Sequence, residues 1–159
     1  MKNLKPFMAG AQPDHAPTAL TPVQSDLSIT ERAGMQKVLL IDDSTTQLLN
    51  SKFILKNAGY LVEIVSDSEQ AIAAIHSTRP DLIITDLNMP KLDGICLVRE
   101  IRKSADFLKT PILIMSTDSQ KYKFDEARKA GATAWLTKPV KPESLLNAIS
   151  QLLKQETAI

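Results

Sequence analysis

From Lys37 onward the chain alternates between short apolar runs and longer stretches whose apolar residues recur at helical spacing. The first run, KVLLI, ends at Asp42. The stretch STTQLLNSKFILKNAG follows, with Leu48, Leu55 and Ala58 on one helical face and Ile54 beside them. Ser44 or Thr45 supplies a helix N-cap and Gly59 a stop. LVEIV reads as a second strand. A helix carrying Ala71, Ile72 and Ile75 follows it and ends before Arg79-Pro80. DLIITD is a third strand, and Ile95, Val98 and Ile101 mark the helix after it. PILIMS is the fourth strand, with Asp118 placed to cap a helix over SQKYKFDEARKAG that stops at Gly131. TAWLT is the fifth. Pro142 suits the first turn of a last helix carrying Leu145, Leu146, Ile149, Leu152 and Leu153.

Five strand–helix units in a row predict an α/β fold. Strands this uniformly apolar need helices on both faces, so the sheet is predicted to be parallel and doubly wound. Sheets of this kind place their sites at the carboxyl ends of the strands. Residues 1–36 break the pattern: Pro6, Pro13, Pro17 and Pro22 fall there without sustained periodicity. That composition cannot offset the entropy of ordering, so a flexible extension is expected over 1–36. The regular domain is expected over 37–154, with a short tail over 155–159.

The remaining composition mainly excludes. A net charge of +1 over 159 residues gives no bulk polarity toward nucleic acid or anionic lipid. The single cysteine, Cys96, rules out a disulfide within the chain and fits a cytoplasmic setting. No apolar run approaches the roughly 20 residues of a membrane helix, and MKNLKPFMAGAQP makes a poor signal peptide.

The chemistry gathers at the strand ends. Strand one closes on Asp42-Asp43, strand three on Asp86, strand four on Ser116-Thr117, and Lys138 follows strand five. Singly, each has an ordinary reading: the acid pair as helix caps, Asp86 as a turn residue before Met89-Pro90, Lys138 as solvated surface. Together they are carboxylates that repel one another unless a hard divalent cation joins them. Carboxylate, cation, lysine and hydroxyl are also the parts needed to accept a phosphoryl group. A carboxylate can itself be the nucleophile.

In LLIDDS, IITDLNMPKLDG, ILIMST and GATAWLTKPV the chain resembles the response regulator receiver domains of two-component signalling, from Lys37 to about Lys154. The resemblance implies a flavodoxin-like, CheY-like sheet of order 2-1-3-4-5. It implies Asp86 as phosphoacceptor, and Mg2+ held by Asp43, by Asp42 through water, by Asp86 and by the backbone carbonyl of Asn88. It implies that Ser116 and Lys138 bind the phosphoryl group, that Trp135 is the aromatic switch, where relatives more often carry Tyr or Phe, and that Lys138-Pro139 is cis. Asn88 and Asp118 fall where the family tunes dephosphorylation; a small amide and an acid there imply a phosphate lasting seconds to minutes. Phosphate would come from a sensor histidine kinase or a histidine phosphotransfer protein. The output would be a protein-binding surface on helix four, strand five and helix five, read by a downstream protein target without direct contact to nucleic acid or insertion in a membrane. No output domain is expected after the last helix.

Competing readings are a phosphate sink or phosphorelay intermediate, and a haloacid-dehalogenase-like phosphatase. The phosphatase would carry its nucleophile on strand one as Asp-x-Asp, whereas the candidate here follows strand three. A nucleotide or flavin module would need a glycine-rich loop after strand one, and DDSTTQ has no glycine. His15 and His76 read as solvated, and Cys96 as a small buried apolar group. Lys121, Lys123, Arg128 and Lys129 read as a solvated helix face.

Overall fold

The structure, a computed structural model, describes residues 34–157, with side chains described to Lys154. Apart from residues 34–36, the expected flexible extension lies outside the described residues, as does His15. The strands are β1 (Lys37–Ile41), β2 (Leu61–Val65), β3 (Leu82–Asp86), β4 (Ile112–Ser116) and β5 (Ala134–Thr137). They form one parallel sheet in the order β2-β1-β3-β4-β5. The α-helices are α1 (Thr45–Asn57), α2 (Ala71–Thr78), α3 (Gly94–Ile101), α4 (Lys121–Ala130) and α5 (Pro142–Thr157). Short 3-10 turns at Ser68–Gln70 and Ala105–Phe107 precede α2 and β4. The helix α5 thus runs past the expected boundary at 154.

The period of two along each strand divides the core. Leu39, Ile41, Ile83, Ile112 and Ile114 face one layer with Ile75 of α2, Ile95, Val98 and Ile101 of α3 and Ala127 of α4. Val38, Leu40, Leu82, Ile84, Leu113 and Met115 face the other, with Leu48 and Leu55 of α1 and Leu145, Ile149, Leu152 and Leu153 of α5. Every residue of β3 and β4 is buried. The edge strands are not: Glu63 of β2 and Thr137 of β5 are exposed. Coverage on both faces therefore holds fully only for the interior strands, because an edge strand has a neighbour on one side alone.

Helix ends follow local chemistry. Ser44 caps α1 by accepting from Gln47 N. Asp93 caps α3 by accepting from Cys96 N. The left-handed Gly131 closes α4 at φ 117°. Ala58, expected on the buried stripe of α1, is exposed at its C-cap, where the helix has left the core. Asp118 does not cap α4 itself. It accepts from Gln120 N in the turn before the helix, and Gln120 is the N-cap residue.

Candidate functional site

Parallel strands all present their carboxyl ends at one edge, and there the separate polar residues meet. Asp42 and Asp43 follow β1, Asp86 is the last residue of β3 and Ser116 the last of β4. One carboxylate oxygen from each of Asp42, Asp43 and Asp86 lies within 4.8 Å of the others. Asp42 and Asp86 are buried and Asp43 is exposed. Lys138, entering the loop after β5, reaches back across the edge. Its Nζ donates to Gln47 Oε1 at 2.7 Å, Asp86 Oδ1 at 2.9 Å and Asp42 Oδ2 at 3.5 Å. An ammonium has three donors, and three acceptors surround this one. Burial of a carboxylate is tolerated here because a cation and hydrogen bonds accompany it.

Burial pushes the Asp42 carboxyl above the usual range. The bond from Ser44 N to Asp42 Oδ1, at 2.9 Å, and the Lys138 charge hold it back in part, while the Asp86 charge adds to the rise. Such a cluster of hard oxygen donors suits a divalent cation. Three such oxygens within 4.8 Å of one another are close enough to share one ion, directly or through a water it retains.

The loop between β3 and α3 is fixed from both sides. Leu87 and Met89 are buried while Asn88 is exposed. Ser68 donates its hydroxyl to Pro90 O at 2.9 Å. Lys91, left-handed at φ 74°, lies 3.7 Å from both Asp67 and Glu69. Gly94 N donates to Leu87 O, which brings the first turn of α3 against the Asp86 backbone.

Ser116 is fully buried, and its Oγ accepts from Asp118 N at 3.0 Å. The Asp118 carboxylate turns toward α4, accepting from Gln120 N and lying 3.8 Å from Lys123. Lys138 N donates to Ser116 O, and the Lys138-Pro139 bond is cis. Trp135 of β5, half-buried, meets the ring of Phe124 edge-on, with centroids 5.7 Å apart. The Arg128 guanidinium lies over the Phe124 ring, 5.8 Å from its centroid. Ser119, Gln120, Lys121, Phe124, Trp135 and Thr137 line an open groove of about 360 Å³.

The structure thus brings together Asp42, Asp43, Asp86 and Lys138, with Ser116 and Trp135 on the neighbouring strands. It also shows residues that went unremarked in the sequence. Gln47 joins the ammonium; its signal was the Ser44-Thr45-Thr46-Gln47 spacing, which also describes an ordinary capping box. Gly94 permits the close approach to Asp86. Cys96 is half-buried rather than core, and His76 is exposed with its ring 5.1 Å from that of Phe107. On α4, Lys121 and Arg128 pair with Asp125.

Comparison with known proteins follows the same pattern. A family model described as the response regulator receiver domain matches residues 38–150. Protein PilH of Pseudomonas aeruginosa is 30% identical over 119 residues, covering 75% of this chain and 98% of its own. Protein PilG of the same organism is 35% identical over 113 residues, covering 71% and 84%. The chemotaxis response regulator CheY4 of Vibrio cholerae superposes with a TM-score of 0.71 at 38% identity, over 74% of this chain and 98% of its own. No described helix is long and apolar enough to cross a membrane.

Proposed function

The chain belongs to the response regulator receiver domain family, and from that premise we propose that it is a phosphorylation switch whose acceptor is Asp86. The observation that carries this reading is Lys138 Nζ at 2.9 Å from Asp86 Oδ1 beside two further carboxylates. In the reaction, an Asp86 carboxylate oxygen attacks the phosphorus of a phosphohistidine on a kinase or phosphotransfer protein. The P–N bond breaks, the imidazole leaves with the electron pair, and an acyl phosphate remains on Asp86. Magnesium, held by Asp43, by Asp42 through water, by Asp86 and by the backbone carbonyl of Asn88, would neutralise charge on the phosphoryl oxygens. Lys138 holds its charge against the incoming group. Hydrolysis of the acyl phosphate, tuned at Asn88 and Asp118, returns the resting state within seconds to minutes.

The added phosphate brings about −1.5 to −2 charges and new acceptors. Ser116 Oγ, now bonded to Asp118 N, turns to donate to a phosphate oxygen. That releases the loop before α4 and makes room for Trp135 to leave Phe124. The surface of α4, β5 and α5 thereby differs between the two states and is available to a protein partner. The likeness to a chemotaxis regulator favours such a protein-borne output.

The test is incubation with acetyl phosphate and magnesium, with the adduct located by mass spectrometry. One phosphoryl group on Asp86, absent without magnesium and absent in Asp86→Asn, is the expected result. Equal labelling of Asp86→Asn refutes the reading. Trp135 is the single tryptophan, so a fluorescence change on labelling reports the switch directly.

A further inference from the structure

The start of α1 has the sequence of a capping box, Ser44-x-x-Gln47, but uses only half of it. Ser44 Oγ accepts from Gln47 N at 3.3 Å, as a cap should. In the reciprocal half, the glutamine side chain accepts from the N–H of the capping residue. Here that N–H is taken by Asp42 Oδ1 at 2.9 Å. The Gln47 carboxamide is therefore released from the helix end, and it accepts from Lys138 Nζ at 2.7 Å, the shortest contact that ammonium makes. Because lysine can only donate, the amide must present its oxygen to the ammonium.

A closed circuit results. Lys138 Nζ bonds Gln47 Oε1, Gln47 N bonds Ser44 Oγ, Ser44 N bonds Asp42 Oδ1, and Asp42 Oδ2 faces Lys138 Nζ again. Three of its four members are fixed by the chain turn after β1. The fourth, Lys138, comes from the loop after β5 on a long flexible stem, whose rotamer freedom is among the largest of any side chain. Its two carboxylate partners would each hold the ammonium toward the acid cluster, and the neutral amide holds it from the α1 side.

We propose that Gln47 is a positioning residue for phosphoryl transfer: it fixes Lys138 Nζ beside Asp86 before the phosphodonor arrives. This deepens the receiver reading and rests on it. Chemically, the transfer from acetyl phosphate forms one P–O bond to Asp86 and breaks one to acetate, which leaves with the electron pair. Lys138 offers charge to the phosphoryl oxygens throughout, and Gln47 touches only Lys138.

The experiment compares wild type with Gln47→Met, of similar length without an acceptor, and Gln47→Glu, which restores one. The first readout is the Lys138 ammonium resonance in nitrogen-labelled protein without magnesium or phosphodonor. It is expected to be protected from solvent exchange in wild type, lost in Gln47→Met, and recovered in Gln47→Glu. The second is the initial rate of Asp86 labelling by acetyl phosphate with magnesium, expected to fall about three- to tenfold in Gln47→Met, the rate equivalent of one ordinary hydrogen bond's net contribution, since both carboxylates still hold the ammonium. The melting temperature is expected to stay that of wild type, since Gln47 is exposed and its backbone cap is untouched. An unchanged resonance in Gln47→Met, a lost resonance with an unchanged rate, or a rate loss matched by a lower melting temperature each overturns the proposal. If wild type takes no phosphate at all, the receiver reading fails on its own, while the ammonium resonance still reports whether Gln47 holds Lys138.

Discussion

Adding one methyl group at Gly94 tests whether the proposed phosphoryl site depends on how closely α3 approaches β3. A Cβ there would lie 2.5 Å from Asp86 O, 3.0 Å from Leu87 Cα and 3.3 Å from the Asp86 carbonyl carbon. Carbon–oxygen contacts ordinarily stay near 3.3 Å or beyond, so the overlap is about 0.8 Å. Every opposing atom is backbone, and none can rotate aside. Either α3 moves outward, loosening buried Ile95, Leu97, Val98 and Ile101, or the Asp86–Leu87 peptide tilts. Overpacking of this kind costs about 1–3 kcal/mol. Alanine recovers at most about 1 kcal/mol of helix propensity, less in a first turn. The net loss of about 1–2 kcal/mol corresponds to a melting temperature lower by roughly 4–8 °C. The functional loss is larger, because displacement on the order of 1 Å at a reacting group can cost about a hundredfold in rate. Thermal unfolding by circular dichroism, paired with acetyl phosphate labelling well below the midpoint, measures both. Gly59→Ala is the control: nothing lies within 4 Å of its added Cβ, and only its φ of 100° is strained. It is expected to lose about 1 kcal/mol with labelling intact. A Gly94→Ala protein that melts at or above wild type and labels at the same rate would refute the steric argument.

Magnesium is expected to raise the melting temperature of wild type, by about 2.7 kcal/mol of stability at a hundredfold excess over its dissociation constant; Asp43→Asn, at an exposed position, should abolish that shift with little change in the magnesium-free midpoint. Arg102 donates to the carbonyls of Gly131, Phe107 and Thr110, so Arg102→Met should cost about 2–3 kcal/mol in urea unfolding, and Arg102→Lys should not restore it because the fork is lost. Labelling of Asp86 at temperatures where both variants are folded should be unaffected, and a site defect there would contradict the placement of Arg102 away from the carboxyl edge. Burial, with the neighbouring Asp93 carboxylate, holds the Cys96 thiol above its usual range; its alkylation rate should still be rising at pH 9, and Asp93→Asn should speed it at every pH below.

Much of this architecture was legible because each strand carries its own burial signal and a stop. Asp42, Asp86, Ser116 and Lys138 could be placed at one edge from alternation and parallel topology alone, without knowing any side-chain direction. The failures are of another kind. Glu63 reads as part of an apolar strand, and only the strand order makes β2 an edge where an acid can face water. Ala58 sits on the apolar stripe of α1, but the stripe outlives the helix's contact with the core by a turn. Gln47 was hidden by competition. Its spacing from Ser44 predicts a helix cap, and the choice between capping and binding Lys138 depends on whether Asp42 takes the Ser44 N–H. That is settled in three dimensions by a residue on the other side of the turn.

The same edge also explains how an event at Asp86 can be felt on a helix surface without a long path. Lys138 is one residue beyond β5, the strand that carries Trp135, and its own backbone N–H binds Ser116 O at the end of β4. Ser116 pairs in register with Thr137, and its hydroxyl restrains the loop leading into α4 through Asp118 N. A phosphoryl group on Asp86, as proposed, would compete for the ammonium now shared with Gln47 and Asp42, and for the hydroxyl that now accepts from Asp118 N. Both claims act on adjacent strand ends whose next neighbours are Trp135 and α4. Under the proposed reading, the coupling therefore requires only that two side chains change partners, and the aromatic pair of Phe124 and Trp135 is the first packed contact to register the exchange.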